Sequence, residues 1–142
     1  PKPILSMINK HFCDPELVRV TKKILTNDMV EQQFCIVSRR DQTEALCRYL
    51  DFYENTYAIV FARTRVGVKE LTDELNNRGF TADALHGDMS QDARDMTMRK
   101  FKQKRIHLLV CTDVAARGID VSDLTHVINF GLPQDNESYV HR

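Results

Sequence analysis

Cys111-Thr112-Asp113-Val114-Ala115-Ala116-Arg117-Gly118-Ile119-Asp120 is the stretch on which the fold of this chain turns. The apolar run leading into it, residues 106–111, reads as a buried strand. The run stops at Thr112 and Asp113, and a short loop is expected to carry Arg117, Gly118 and Asp120 in close succession. Gly118 lets a backbone approach a ligand closely. Arg117 offers a planar fork to phosphate or carboxylate. Asp120 can accept a hydrogen bond from a ribose hydroxyl. Charged residues and a glycine just past a buried strand mark the place where open α/β sheets bind ligands. The plain alternative is a polar loop, and the rest of the chain argues against it.

Outward from that stretch, short apolar runs alternate with helical periodicity. Strands are predicted over 34–37, 57–61, 80–85, 106–111 and 126–130. Between them, Ala45, Leu46, Tyr49, Leu50 and Tyr53 fall on one helical face. Val68, Leu71 and Leu75 fall on another, which ends at Gly79, a good residue just past a helix. Ser90 is placed to cap a helix running to about Lys102, with Ala93, Met96 and Phe101 inward. A last helix is expected near Glu137. Strands alternating with helices of this length imply βαβ units. The expected fold is α/β, an open, mostly parallel sheet with helices on both faces. Residues 1–30 differ from the rest. Ile4, Leu5, Ile8 and Phe12 recur at helical spacing, Asp14-Pro15 is a stop, residues 17–20 suit a short strand, and the polar residues that follow read as a linker.

Polar residues collect at one kind of place. Arg63, Thr64 and Arg65 follow Phe61; His86, Gly87 and Asp88 follow Leu85; Thr112 and Asp113 follow Cys111; Gly131 follows Phe130. Each cluster lies just past the end of a predicted strand, and in a parallel sheet those ends share one rim. Gln91 and Arg94 are helix neighbours near a helix N-terminus, whose free N–H groups and partial positive charge suit a phosphate.

Composition narrows the classes. The chain has 142 residues, enough for one domain with a core. The formal net charge is zero, so any nucleic-acid binding must come from a local patch. No apolar run reaches membrane-spanning length, and no leader pattern is present. Cys13, Cys35, Cys47 and Cys111 show no metal-type pairing; Cys35 and Cys111 fall inside predicted strands as small hydrophobes, which suits a reducing cytoplasm. His11, His86, His107, His126 and His141 lack zinc spacing, so no metal site is expected. No Gly-x-x-x-x-Gly-Lys-Ser/Thr and no Gly-x-Gly-x-x-Gly occurs, so the chain has no phosphate cradle of its own. Ser38, Ser90, Ser122 and Ser138 lack the glycines of a nucleophile elbow. The chain reads as a piece of a longer protein that does not turn over a nucleotide by itself.

Four stretches resemble, in order and in spacing, motifs of the DEAD-box ATP-dependent RNA helicases. Ala58-Ile59-Val60-Phe61-Ala62-Arg63-Thr64-Arg65 resembles motif IV. His86-Gly87-Asp88-Met89-Ser90-Gln91-Asp92-Ala93-Arg94 is similar to the stretch ending in Gln-x-x-Arg. Residues 111–120 resemble motif V, and Tyr139-Val140-His141-Arg142 the opening of motif VI. The wording of motif V is most similar to bacterial cold-shock-type members. The resemblance implies the C-terminal, second RecA-like domain over 31–142, breaking off within motif VI. It implies the tail of a first RecA-like domain over 1–20 and an interdomain linker over 21–30. Thr64, Gly87, Gln91, Arg94 and Thr112 match positions that hold RNA backbone. Gly118 and Asp120 match positions at the nucleotide. Arg117 and His141 match positions that couple the two domains. No catalytic residue is expected in the chain, because the motif VI arginines that reach the γ-phosphate lie beyond Arg142.

The implied cofactor is ATP with Mg2+, bound mainly by the first domain. The implied partners are RNA and that domain, with no membrane. The implied activity is ATP hydrolysis coupled to local opening of an RNA duplex, in the cytoplasm. Three other readings remain at this point. They are a stand-alone RNA- or protein-binding module without ATPase activity, a DNA helicase or remodeller of the same superfamily, and a doubly wound nucleotide-binding regulatory domain.

Overall fold

The computed structural model describes residues 2–13, 16 and 30–142. The chain divides into two units, Pro1–Glu31 and Gln32–Arg142. In the first, α1 spans Lys2–His11, with Lys10 and His11 in its last turn, where cations complement the helix dipole. The expected stop at Asp14-Pro15, the strand over 17–20 and the linker over 21–29 lie outside the described residues.

The second unit is built on four short strands: β1 (Ala58–Phe61), β2 (Ala82–Leu85), β3 (Leu108–Cys111) and β4 (His126–Asn129). Every pairing is parallel and the order is β2-β3-β1-β4. Phe61 stands level with Cys111 and with Asn129, and Leu85 with Cys111, so all four strands end on one edge. Side chains alternate across the sheet with the two-residue period of a strand. Ala58, Val60, Leu108 and Val110 pack with Leu46 and Leu50 of α2 (Gln42–Phe52) and Val68, Leu71 and Leu75 of α3 (Arg65–Asn77). Ile59, Phe61, Leu109 and Cys111 pack on the other face with Phe101 of α4 (Gln91–Lys102) and Ala115 of α5 (Asp113–Ala116). Layers on both faces make the two central strands, β1 and β3, continuous apolar runs, as expected of a parallel sheet. The Tyr57 ring stacks 4.5 Å from Phe101, and its hydroxyl donates to the Phe101 carbonyl at 2.8 Å, tying the end of α4 to β1. A sixth helix, α6 (Asn136–His141), is capped by the Asp135 carboxylate, which accepts from the Ser138 N–H at 2.7 Å.

Four expectations are corrected. Residues 34–37 form no strand, and Phe34 and Ile36 are 88% and 89% exposed. The run has β-type side chains, but no ladder partner among the described residues satisfies its backbone. Cys35 is therefore exposed, whereas Cys111 is buried in β3. Met96 points outward at 60% exposed, because the inward face of α4 runs through Thr97 and Phe101. Thr112 is followed by the helical turn α5 where a plain loop was expected. Asp113 in its first turn and two alanines favour that turn.

Candidate nucleic-acid interface at the carboxyl edge of the sheet

The topology puts a crevice at one place. From β1 the chain leaves through α3, which covers one face of the sheet. From β3, the neighbour of β1, it leaves through α5, on the opposite face. Where adjacent parallel strands send their connections to opposite faces, the carboxyl ends open into the usual ligand crevice of an α/β sheet. Thr64 and Thr112 are the residues at the two lips. Thr64 is the N-cap of α3: its hydroxyl accepts the Gly67 N–H at 3.0 Å. Thr112 is the N-cap of α5 and its hydroxyl makes no cap bond, so that oxygen is available to a ligand.

Gly87 lies past β2 on the same edge, and the space beside its Cα is open. Its neighbour His86 is buried, and burial together with the nearby Lys69 and Arg65 charges holds its imidazole below the usual pKa of 6.5, against the pull of Asp88. His86 Nδ1 accepts the Asp88 N–H at 3.3 Å, which fixes the neutral ring with its proton on Nε2. Arg65 pairs with the Asp88 carboxylate and so links the residues after β1 to those after β2.

A second hollow, of about 550 Å³, lies between α4 and the turn over 115–120. Gln91, Arg94, Arg117, Gly118 and Asp120 all line it. Ser90 caps α4 by accepting the Ala93 N–H at 3.3 Å, as its position predicts. Gln91 donates to Asp95 at 2.8 Å, and the Arg94 guanidinium donates to the Ala115 carbonyl at 3.3 Å. Gly118 adopts φ 77°, a left-handed conformation that suits glycine, with open space beside it. Asp120 makes no hydrogen bond or ion pair among the described residues, which leaves its carboxylate able to accept from a sugar hydroxyl. These features suit one end of a nucleotide. A metal ion is another matter: no group of three or more His, Cys, Asp or Glu among the described residues is placed to hold one.

The structure thus gathers the expected residues in two places. Thr64 and Thr112 flank the crevice. Gln91 and Arg94 share the hollow with Arg117, Gly118 and Asp120. Gly87 sits on the same edge without lining the hollow. His141 lies apart on α6, exposed, 3.8 Å from Glu137 one turn earlier.

The residue that sequence reasoning missed is Arg142. Its side chain is 2% exposed. The guanidinium donates twice to Asp113, at 2.5 and 2.8 Å, and also to Asn129 at 2.7 Å and the Gly131 carbonyl at 2.9 Å. It lies 4.7 Å from the Phe61 ring centre. One side chain therefore ties α5, β4 and the end of β1 together at the crevice. Its hydrogen bonds hold the Asp113 carboxyl below the usual carboxylate range, despite the opposing effect of partial burial. The motif VI resemblance contains Arg142, but no local pattern gives its partner, since Asp113 is distant in sequence. A Cβ on Gly131 would come within 2.6 Å of the Arg63 side chain, so this glycine lets the β4 exit pass close to β1.

A parallel sheet whose carboxyl edge carries these groups is the frame of a ligand-binding α/β domain. Residues 41–142 match the family described as helicase conserved C-terminal domain, and the chain belongs to that family. It is 48% identical over all 142 residues to the DEAD-box ATP-dependent RNA helicase CshA of Bacillus licheniformis, and 46% to that of Bacillus subtilis. In both cases it spans 29% of the relative's length. A DEAD box protein from the hyperthermophile Methanococcus jannaschii superposes with a TM-score of 0.77 at 43% identity, covering all of this chain and 38% of that one. Escherichia coli SrmB, solved bound to the regulator of ribonuclease activity RraA, matches 72% of this chain, and 61% of its own, with a TM-score of 0.68 at 40% identity. The fold is that of the C-terminal RecA-like domain of DEAD-box proteins.

Proposed function

We propose that this chain is the second motor domain of an ATP-dependent RNA helicase, which grips the backbone of single-stranded RNA and, with a first RecA-like domain, opens short duplexes. The observation that carries this reading is the convergence of Thr64, Gly87, Gln91, Arg94 and Thr112 on one edge of a parallel sheet, beside a switch-point crevice. All five offer hydroxyl, amide, guanidinium or open backbone groups, which suit phosphate and sugar oxygens. Such contacts position a strand without specifying its sequence, which suits an enzyme acting on many RNAs. A DEAD-box relative from Saccharomyces cerevisiae, Dbp5, was solved bound to RNA and ADP-BeF3, and is 29% identical to this chain with a TM-score of 0.68.

In this reading Gly118 and Asp120 meet the sugar end of ATP, and Arg117 and His141 face the first domain. ATP supplies the free energy of phosphoryl transfer. Mg2+ is held elsewhere than on the described residues of this chain. Residues 1–20 belong to the first domain, 21–30 to the linker and 31–142 to the second domain. No helix among the described residues is long and apolar enough to cross a membrane. A location in the cytoplasm is part of the same proposal and rests on the resemblance to RNA helicases.

The test is ATP turnover by the longer protein that carries this chain, with single-stranded RNA, single-stranded DNA or neither. Stimulation by RNA alone is the expected result. Equal stimulation by DNA would move the protein to the wider helicase superfamily. No turnover with either would leave a stand-alone binding module.

A further inference from the structure

The hollow between α4 and the 115–120 turn holds more positive charge than the expected site uses. Arg94, Arg99, Lys102 and Arg117 line it, against Asp95 and Asp120. Asp95 already accepts from Gln91. The Arg99 and Lys102 side chains make no hydrogen bond or ion pair among the described residues. Cations in the last turn of a helix also complement its dipole, which is the ordinary account of basic residues there. That account does not separate Lys100 from its two neighbours. Lys100 faces the sheet edge and pairs with Asp83 at 3.0 Å, whereas Arg99 and Lys102 turn to the hollow and stay unpaired.

Arg94, Arg99 and Lys102 all line the α4 side of the hollow. At 1.5 Å per residue, the distance from Arg94 to Lys102 along α4 is about 12 Å. A stacked strand carries one charge per roughly 3.4 Å, so that length faces about three phosphates. The wall has no aromatic side chain, so it lacks the buried anchor on which protein partners usually dock. We propose that Arg99 and Lys102 hold two further phosphates of the single strand, so that the track at Gln91 and Arg94 continues along α4 to its carboxyl end. This rests on the RNA reading above and extends it beyond the motif residues.

The experiment is binding of a labelled oligouridylate to the intact protein across a salt series. Each phosphate contact on a single strand contributes a slope of roughly 0.7 in log affinity against log salt. Arg99→Gln/Lys102→Gln is expected to flatten the slope by about 1.4, and Arg94→Ala by about 0.7. Arg48→Ala, on the opposite face of the sheet, is expected to leave it unchanged. Arg48, Arg99 and Lys102 are exposed and Arg94 is half-buried, and thermal melts check that the variants fold. An unchanged slope in the double variant, with a flattened one in Arg94→Ala, overturns the extension and leaves the RNA reading standing. An equal loss in Arg48→Ala also overturns it, because overall charge would then explain the effect. Absence of salt-dependent binding by the unaltered protein would sink the RNA reading and the extension with it.

Discussion

Arg142 takes a full charge into a nearly solvent-free position, and that arrangement holds because four of its five N–H donors are met. Two bonds go to Asp113, one to Asn129 and one to the Gly131 carbonyl, and the Phe61 ring lies 4.7 Å from the guanidinium carbon. Removing one partner of a buried pair costs more than the pair contributes, because the survivor stays desolvated. Asp113 is partly open to water, so the loss is moderated by screening. Asp113→Asn is expected to destabilise the fold by about 1–2 kcal/mol at neutral pH, in line with hydrogen bonds to a charged group. The sign with pH follows from the depressed carboxyl. A group whose folded pKa is lowered contributes stability above its unfolded pKa, about 3.9, and loses that contribution as pH falls through the folded value. The gap between the parent chain and Asp113→Asn should therefore close as urea melts are stepped down through that range. A gap that stays constant to the lowest pH at which the chain folds would show that Asp113 acts through packing instead of charge.

Element boundaries decide which of these groups point at the crevice. α4 carries Gln91, Arg94, Arg99 and Lys102, so its start sets where all four stand. That start is fixed by Ser90, whose hydroxyl satisfies one of the first free N–H groups. Ser90→Ala is expected to cost about 1 kcal/mol, and Ser90→Gly only a few tenths. Equal losses in urea melts of the two variants would mean that the cap bond does not set the stability of α4. Thr64 plays the same part for α3: its oxygen accepts the Gly67 N–H, which leaves the O–H free to donate to a phosphate. Residues 34–37 illustrate the limit of propensity: four strand-forming side chains form no strand without a neighbour to complete the ladder, because β-propensity records packing more than backbone preference.

At the scale of the whole molecule, the features legible in the sequence are the ones written in local periodicity. The alternation of apolar runs and helical faces predicts β1 to β4, α2, α3, α4 and α6, and the glycines and N-caps mark their ends. The rim followed from that alternation, since parallel strands share one carboxyl edge. What was not legible depends on distance in sequence. The pairing of Arg142 with Asp113, the pairing of Arg65 with Asp88 and the outward turn of Met96 need the packed fold before they can be seen. The meeting of Gln91 and Arg94 with Gly118 and Asp120 in one hollow was equally hidden, because periodicity does not say how far α4 stands from the turn after α5. The same scale carries a last prediction. On the proposed reading the edge meets a strand and a sugar, yet the 142 residues contain no Gly-x-x-x-x-Gly-Lys-Ser/Thr to cradle phosphates. Among the described residues no acidic cluster is placed to hold a metal ion at the γ-phosphate. Phosphoryl transfer depends on positioning and charge stabilisation by such groups, an arginine finger alone contributing roughly a thousandfold or more. The 142-residue chain is therefore expected to release no phosphate from ATP above background, with or without single-stranded RNA. Phosphate release by the purified chain at the rate of the longer protein would mean that the reacting phosphates are held on this edge, and that the division of labour between the two domains is wrong.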